Sequence, residues 1–282
     1  MKKIEKKMEL MANDDLLSCP KCRERLALEG KSLKCINNHT YDLSKKGTVN
    51  FVLGYGEDNY NLAMLEARER VIEKGFFNPV LDGILKELYD DLVKRDKTDQ
   101  TITILDAGCG DGSHLEIIGA YLNSKGIKTS LYGVDLSKDG IHIAGRKENE
   151  AVYFVADLSD LPFKEDSFDV IINILSPANY QDFKRVLKND GRVYKVIPDT
   201  GYLKELRILY GLAEYYYEDM VAHLKSNAQV LKDINIYEEM NVEDYVDDLL
   251  LMTPMLWNKE MVGIADDLNI VTVEAKLFVF SF

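Results

Sequence analysis

The stretch Leu105-Asp106-Ala107-Gly108-Cys109-Gly110-Asp111-Gly112 constrains the fold more than any other part of the chain. Thr101 to Leu105 before it alternates and is β-branched, which predicts a strand, and Ser113 to Leu122 after it predicts a helix. A strand that turns into a helix through three glycines suits a ligand. Glycine accepts positive φ and lets the backbone come close, and the start of a helix offers free N–H groups with partial positive charge. A tight turn without a ligand could use the same glycines, so the neighbouring segments decide.

The spacing Asp106-x-Gly108-x-Gly110-x-Gly112 is tighter than the dinucleotide fingerprint G-x-G-x-x-G and sets an acid ahead of the first glycine. It resembles motif I of class I S-adenosylmethionine-dependent methyltransferases. Ser130 to Asp135 predicts a second strand and Val152 to Asp157 a third, both ending in an acid. A carboxylate at the second strand end can accept ribose hydroxyls, and one at the third suits an adenine amino group. Any one such acid is more often a strand-end cap. Asp106, Asp135 and Asp157 in series, at the carboxyl edge where open α/β sheets bind ligands, favour a nucleoside site. Ser167 to Asn173 continues as a fourth strand, Asp182 to Leu187 as a helix, Asn189-Asp190-Gly191 as a turn and Arg192 to Ile197 as a fifth strand. This alternation predicts a Rossmann-like, doubly wound α/β sheet. Two or three helices and a strand pair near Val271 to Phe280 would complete it at seven strands.

Three of the four cysteines fall in Cys19-x2-Cys22 and Cys35-x3-His39, spacings that suit one tetrahedral zinc ion. Four protein ligands leave no open position, so the ion would be structural; the other reading is free cysteines in a small hairpin domain. Lys21, Arg23, Arg25, Lys31, Lys34, Lys45 and Lys46 surround the array. Residues 1–50 carry 11 Lys/Arg against 7 Asp/Glu, while the rest of the chain holds 24 against 41. An acidic body repels nucleic-acid phosphate, so any RNA contact should be local to the basic end; a solvated face accounts for the same charges. No apolar run approaches the ~20 residues of a membrane helix and no signal-type segment follows Met1 to Lys7, so the chain is expected in the cytoplasm, away from membranes.

Gly54 to Asn59 is expected to be an exposed linker. Leu62 to Lys74, capped by Gly75, and about Val80 to Lys94 predict two amphipathic helices whose apolar stripes read as core. Phe76 and Phe77, at the turn between them, could instead cover an adenine or methionine group. The expected division is a zinc module (1–53), a linker with helices (54–100) and a methyltransferase domain (101–282). Beyond the fourth strand, Asn173 to Ala178 has neither the Pro-Pro-aromatic run of exocyclic-amine methylation nor a cysteine nucleophile, and no His, Asp or Glu to act as a base. No catalytic residue is assigned; Asn173 and nearby backbone are expected to position the acceptor edge. Tyr215-Tyr216-Tyr217 and Trp257 read as core packing or as the acceptor cleft.

End to end, the chain resembles the RlmA-type (RrmA) guanine-N1 methyltransferases of large-subunit ribosomal RNA. The shared stretches are the cysteine-histidine array with its exit to Asn50, Leu65 to Phe77, the glycine loop, Ser176-Pro177, Leu203 to Tyr210 and Leu249 to Trp257. The resemblance implies methyl transfer from S-adenosylmethionine to N1 of a guanosine in 23S ribosomal RNA, with the zinc module helping to hold the RNA; a homodimer is a further expected partner arrangement. By position it puts cofactor contacts on Phe77, Cys109, Gly110 and Tyr202. These join Asp106, Gly108, Asp135, Asp157, Leu158 and Asn173, with Cys19, Cys22, Cys35 and His39 as zinc ligands. The family commonly has Tyr in place of Phe77, His in place of Tyr202, and a basic linker where this chain has Gly56-Glu57-Asp58. The acidic linker keeps open a small-molecule methyltransferase with a structural zinc module. A third reading is a zinc-containing protein that binds the cofactor without turnover.

Overall fold

The computed structural model describes residues 3–12, 15–52, 61–213, 215–257, 259 and 268–282. The linker expected at Gly54 to Asn59 lies outside them. A helix α1 (Lys3–Ala12) precedes a three-stranded antiparallel ribbon of β1 (Ala27–Glu29), β2 (Ser32–Lys34) and β3 (Thr40–Asp42), followed by β4 (Val49–Asn50). Helix α2 (Leu62–Glu73) starts where Asn61 accepts a hydrogen bond from the Met64 N–H (3.0 Å), and α3 (Asn78–Lys94) has Pro79 in its first turn, where no N–H is missed.

The alternating half then runs β5 (Ile102–Ala107), α4 (Ser113–Ser124), β6 (Thr129–Asp135), α5 (Lys138–Ala144), β7 (Val152–Val155), β8 (Phe168–Ile174), α6 (Tyr180–Val186) and β9 (Leu187–Pro198). It ends in α7 (Lys204–Leu209), α8 (Glu218–Asn227), β10 (Gln229–Asn241), α9 (Val246–Met252) and β11 (Ile270–Ser281). The main sheet is ordered β10-β11-β9-β8-β5-β6-β7-β4, parallel except where β11 meets its two neighbours. Seven of these strands form the expected class I sheet. The eighth, β4, leaves the ribbon and pairs in parallel with β7.

The pair expected near Val271 to Phe280 is β11 against β10. On that edge strand Lys232, Asp233, Glu238 and Glu239 are exposed, and such charges, which guard an edge against further pairing, blur the two-residue apolar period. The turn expected at residues 189–191 is a bulge: Phe168 pairs with Leu187 and Val170 with Arg192, so the residues between leave the ladder.

Strand β8 is buried along its whole length, as a central parallel strand covered on both faces must be. One face packs against α2, α3 and α4. The other carries the ribbon: the rings of Tyr41 and Phe51 meet at 4.8 Å, Phe51 and Phe154 at 5.5 Å, and Phe154 and Phe163 at 5.8 Å, so ribbon and sheet share one core on this side. No described helix is long and apolar enough to cross a membrane. The strand order reverses between β5 and β8, which opens a crevice at their carboxyl ends.

Candidate active site and metal centre

In the ribbon, the N–H groups of Cys22 and Arg23 both donate to the Cys19 carbonyl (3.3 and 2.7 Å), a turn closed by a φ of 62° at Arg23. Asn38 donates to the Cys35 carbonyl (2.9 Å) in a second tight turn, with a φ of 61°. The donor atoms of Cys19, Cys22, Cys35 and His39 come to lie within 4.8 Å of one another. Cys22 Sγ is 3.7 Å from Cys35 Sγ, and His39 Nδ1 is 3.4 Å from Cys19 Sγ and 3.5 Å from Cys35 Sγ. Bonds of about 2.3 Å to sulfur and about 2.0 Å to nitrogen give a tetrahedron edges of about 3.5 to 3.8 Å. The four residues therefore fit one structural zinc ion held through Nδ1. Asn37 beside Cys22 pulls its thiol down to about 6, toward the thiolate that a metal takes.

At the crevice, Gly108, Gly110 and Gly112 have φ of 87°, 54° and 77°. A Cβ on Gly108 would stand 2.0 Å from Ser176 Oγ, and one on Gly112 would stand 2.8 Å from the Tyr153 ring, so the loop needs glycine for space as well as for φ. Gly108 and Cys109 donate to the Val134 carbonyl (2.8 and 3.0 Å) and Gly110 donates to Asp135 Oδ2 (2.8 Å), which ties the loop to the end of β6. Helix α4 then begins with no side-chain cap on its first N–H groups.

Two cavities meet over this loop. The first, of about 290 Å³, is lined by Gly108, Gly110, Asp135, Leu136, Ser137, Asp157, Leu158 and the Ile174 to Pro177 loop. The second, of about 240 Å³, is walled by Met64, Phe77, Tyr202, Leu203, Met252 and Met255. Leu65, Arg68 and Leu175 border both. Of the residues expected from the sequence, Gly108, Gly110, Asp135, Asp157 and Leu158 thus line the first cavity and Phe77 and Tyr202 the second. Asp106, the Cys109 thiol and Asn173 stand behind the wall.

Asp106 is 1% exposed, and burial, with Asp135 next, raises its carboxyl to about 8. Asn173 is fully buried: its Nδ2 donates to the carbonyls of Ala107 (2.6 Å) and Pro177 (3.1 Å), and its Oδ1 accepts from Lys195 Nζ (2.5 Å). Lys195, lowered to about 8 by burial, also donates to the Ser176 carbonyl (2.9 Å). Instead of facing an acceptor, Asn173 clamps the loop after β8 to the end of β5.

The cavities fit S-adenosylmethionine on the polar groups they present: two strand-end acids to accept from the nucleoside, a loop that lines the cavity with glycine backbone, and two buried polar atoms with no partner among the described residues, Asp106 Oδ2 and Arg68 Nε, beside that loop. A methyltransferase-domain profile matches residues 105–196, and the profile of the RlmA N-terminal zinc ribbon matches residues 17–52. YxjB of Bacillus subtilis, which carries the provisional name 23S rRNA (guanine-N(1)-)-methyltransferase, is 36% identical over 268 residues, covering 89% of this chain and 90% of its own.

The chain belongs to the RlmA-type methyltransferase family. A Streptomyces fradiae 23S rRNA (guanine(748)-N(1))-methyltransferase is 26% identical over 70% of this chain and 68% of its own. A chain from the complex of the Haloferax volcanii Trm112 methyltransferase activator with a methyltransferase superposes with a TM-score of 0.50 at 16% identity, over 80% of this chain and 99% of its own, and so shares the fold.

What sequence reasoning missed in this RlmA-type enzyme is the role of α2. Arg70 makes two bonds to Asp248 (2.8 and 2.6 Å), Glu69 pairs with Lys147 (2.8 Å) and Glu66 with Arg146 (3.5 Å), so α2 lies over the cleft, stapled to α9 and to the segment after α5. Arg68 projects from the same helix into both cavities. Under it, His114 packs edge-on against Phe77 at 5.2 Å, and burial lowers it to about 3, so it is neutral. The available signal was the shared Leu65 to Phe77 stretch, whose charges also suit an ordinary solvated helix face.

Proposed function

We propose that this chain transfers the methyl group of S-adenosylmethionine to N1 of a guanosine in 23S ribosomal RNA, in the cytoplasm. The observation that carries the reading is the RlmA ribbon joined to an adenosyl-type cleft in a chain that matches YxjB over nearly its whole length. When bound, the cofactor supplies an electrophilic methyl group on sulfonium. The proton on guanine N1 leaves to solvent as the methyl group arrives, and the rest is alignment by the chain's own residues, a main source of rate in an in-line displacement. Asp135, oriented by N–H bonds from Gly110 and Ser137 (both 2.8 Å), and Asp157 take the nucleoside donors. Asn173 and Lys195 hold the loop after β8 at a set distance from the glycine loop. Met64, Phe77, Met252 and Met255 keep water from the second cavity. A base-paired guanosine has to turn out of its helix to present N1.

On the ribbon, Arg23, Arg25 and Lys34 are engaged by Asp160, Asp15 and Glu29, while Lys21, Lys31 and Lys45 are exposed. In this reading the exposed lysines meet RNA phosphate. Pairing of two copies belongs to the same reading, and sedimentation with and without RNA tests it. The deciding experiment supplies labelled S-adenosylmethionine together with undermethylated 23S rRNA and a small-molecule extract. Label at a single guanosine is expected, read as a reverse-transcription stop because N1 lies on the pairing edge. Label confined to small molecules would refute the proposal.

A further inference from the structure

We propose that Arg68 receives the carboxylate of the cofactor's methionine moiety, an inference that rests on the assignment of the cleft to S-adenosylmethionine. Among the described residues that line the first cavity, Arg68 is the single cation, and it shares the second only with Arg207. Arg207 is committed elsewhere: its Nε donates to the Tyr202 carbonyl (3.4 Å), its Nη1 to the Ala213 carbonyl (3.3 Å), and its guanidinium lies over the Tyr215 ring at 4.9 Å. Lys147 is held by Glu69 (2.8 Å), Glu116 (3.5 Å) and Asp111 (3.9 Å). Arg68 is held by no comparable contact among the described residues, although its charge acts on Asp106 and Asp111 behind the wall. Among the described residues it forms no ion pair, and its Nε is buried without a hydrogen bond.

Its position suits an anion. The guanidinium carbon stands 3.8 Å from where a Cβ on Gly110 would be and 5.9 Å from the centre of the Phe77 ring, over the loop that leads into α4. The uncapped first turn of that helix adds positive potential at the same place. The remaining charges are acidic: Asp135 and Asp157 on the wall and Asp111 behind it. S-adenosylmethionine carries a sulfonium, an ammonium and one carboxylate. Acids suit the first two and repel the third, so a carboxylate can enter only beside a cation, and a guanidinium offers it two parallel donors.

The test is calorimetric titration of wild type, Arg68→Gln and Arg68→Lys with S-adenosylmethionine and with its decarboxylated analogue, which differs only in the carboxylate. Wild type should favour the carboxylated compound by about 10- to 100-fold, the range of a charge-assisted hydrogen-bonded pair. Arg68→Gln should lose that preference while binding the analogue as wild type does, and Arg68→Lys should keep part of it. An undiminished preference in Arg68→Gln, or equal weakening of both compounds as a packing defect would produce, overturns the inference. So does a wild type that binds both equally, which leaves the cofactor assignment standing; binding of neither overturns the assignment as well.

Discussion

Changing Asp106 to Asn should remove a pH-dependent loss of stability that the cofactor-free protein carries across the neutral range. Asp106 lies at the end of β5 with 1% exposure, one carboxylate oxygen has no partner among the described residues, and burial followed by Asp135 lifts its pKa from 3.8 to about 8. The folded chain therefore holds a proton that the unfolded chain releases near pH 4. Between roughly pH 4 and 8 the native state binds more protons than the unfolded one, so this group's contribution is fully present below the unfolded pKa and is lost as pH rises through the folded one. The slope is about 1.4 kcal/mol per pH unit inside that window, and the whole effect is on the order of 5 kcal/mol. Asn keeps the shape of the protonated acid and has no proton to lose. In urea unfolding measured from about pH 5.5 to about pH 7.5, Asp106→Asn should gain about 2 to 3 kcal/mol on wild type. A difference between the two proteins that stays flat over this range would refute the claim that burial governs Asp106.

Gly108→Ala combines a φ of 87° with a Cβ set 2.0 Å from Ser176 Oγ. It should cost about 1 to 2 kcal/mol for the backbone alone and weaken cofactor binding further by displacing Ser176; adding Ser176→Gly should restore the second loss and leave the first, as calorimetry and melting together can show. Asn173→Ala removes two donors and leaves Lys195 a single acceptor, so a loss of about 2 to 4 kcal/mol in chemical denaturation is expected, with a weaker cofactor affinity as the loop after β8 loosens. Cys35→Ser should abolish bound zinc as measured by atomic absorption and unfold the ribbon, because zinc binding worth on the order of 10 kcal/mol is the folding energy of such modules; unchanged metal content would refute the ligand set.

The fold and much of the cleft are legible because their determinants are local. Cys19 and Cys22 flank one turn, and Cys35 and His39 flank another, so spacing alone aims four ligands at one point. Parallel strands joined by helices end on the same edge, which brings Asp135 and Asp157 to one cavity without any knowledge of packing. The glycine loop is legible for the same reason, since its φ values belong to consecutive residues, although its links to β6 reach across to Val134 and Asp135. Asn173 shows where such reading stops. Along the chain it is a polar residue at a strand end, well placed for a ligand; in the structure Ala107 at the end of β5 and Pro177 take both of its donors and Lys195 on the next strand donates to its oxygen. The long edge strand β10 and the pairing of the two-residue strand β4 were likewise hidden, one by its protective charges and the other because its partner β7 lies far along the chain.

By itself, then, the sequence determines a zinc ribbon, a doubly wound sheet and a glycine loop between acids, each from a local signal of spacing, turn or strand–helix alternation. The tertiary structure decides which polar groups still have a hydrogen bond to give. It seals Asn173 and Asp106 behind the wall and brings Arg68 over the loop, because burial and pairing depend on segments that meet only when the chain has folded.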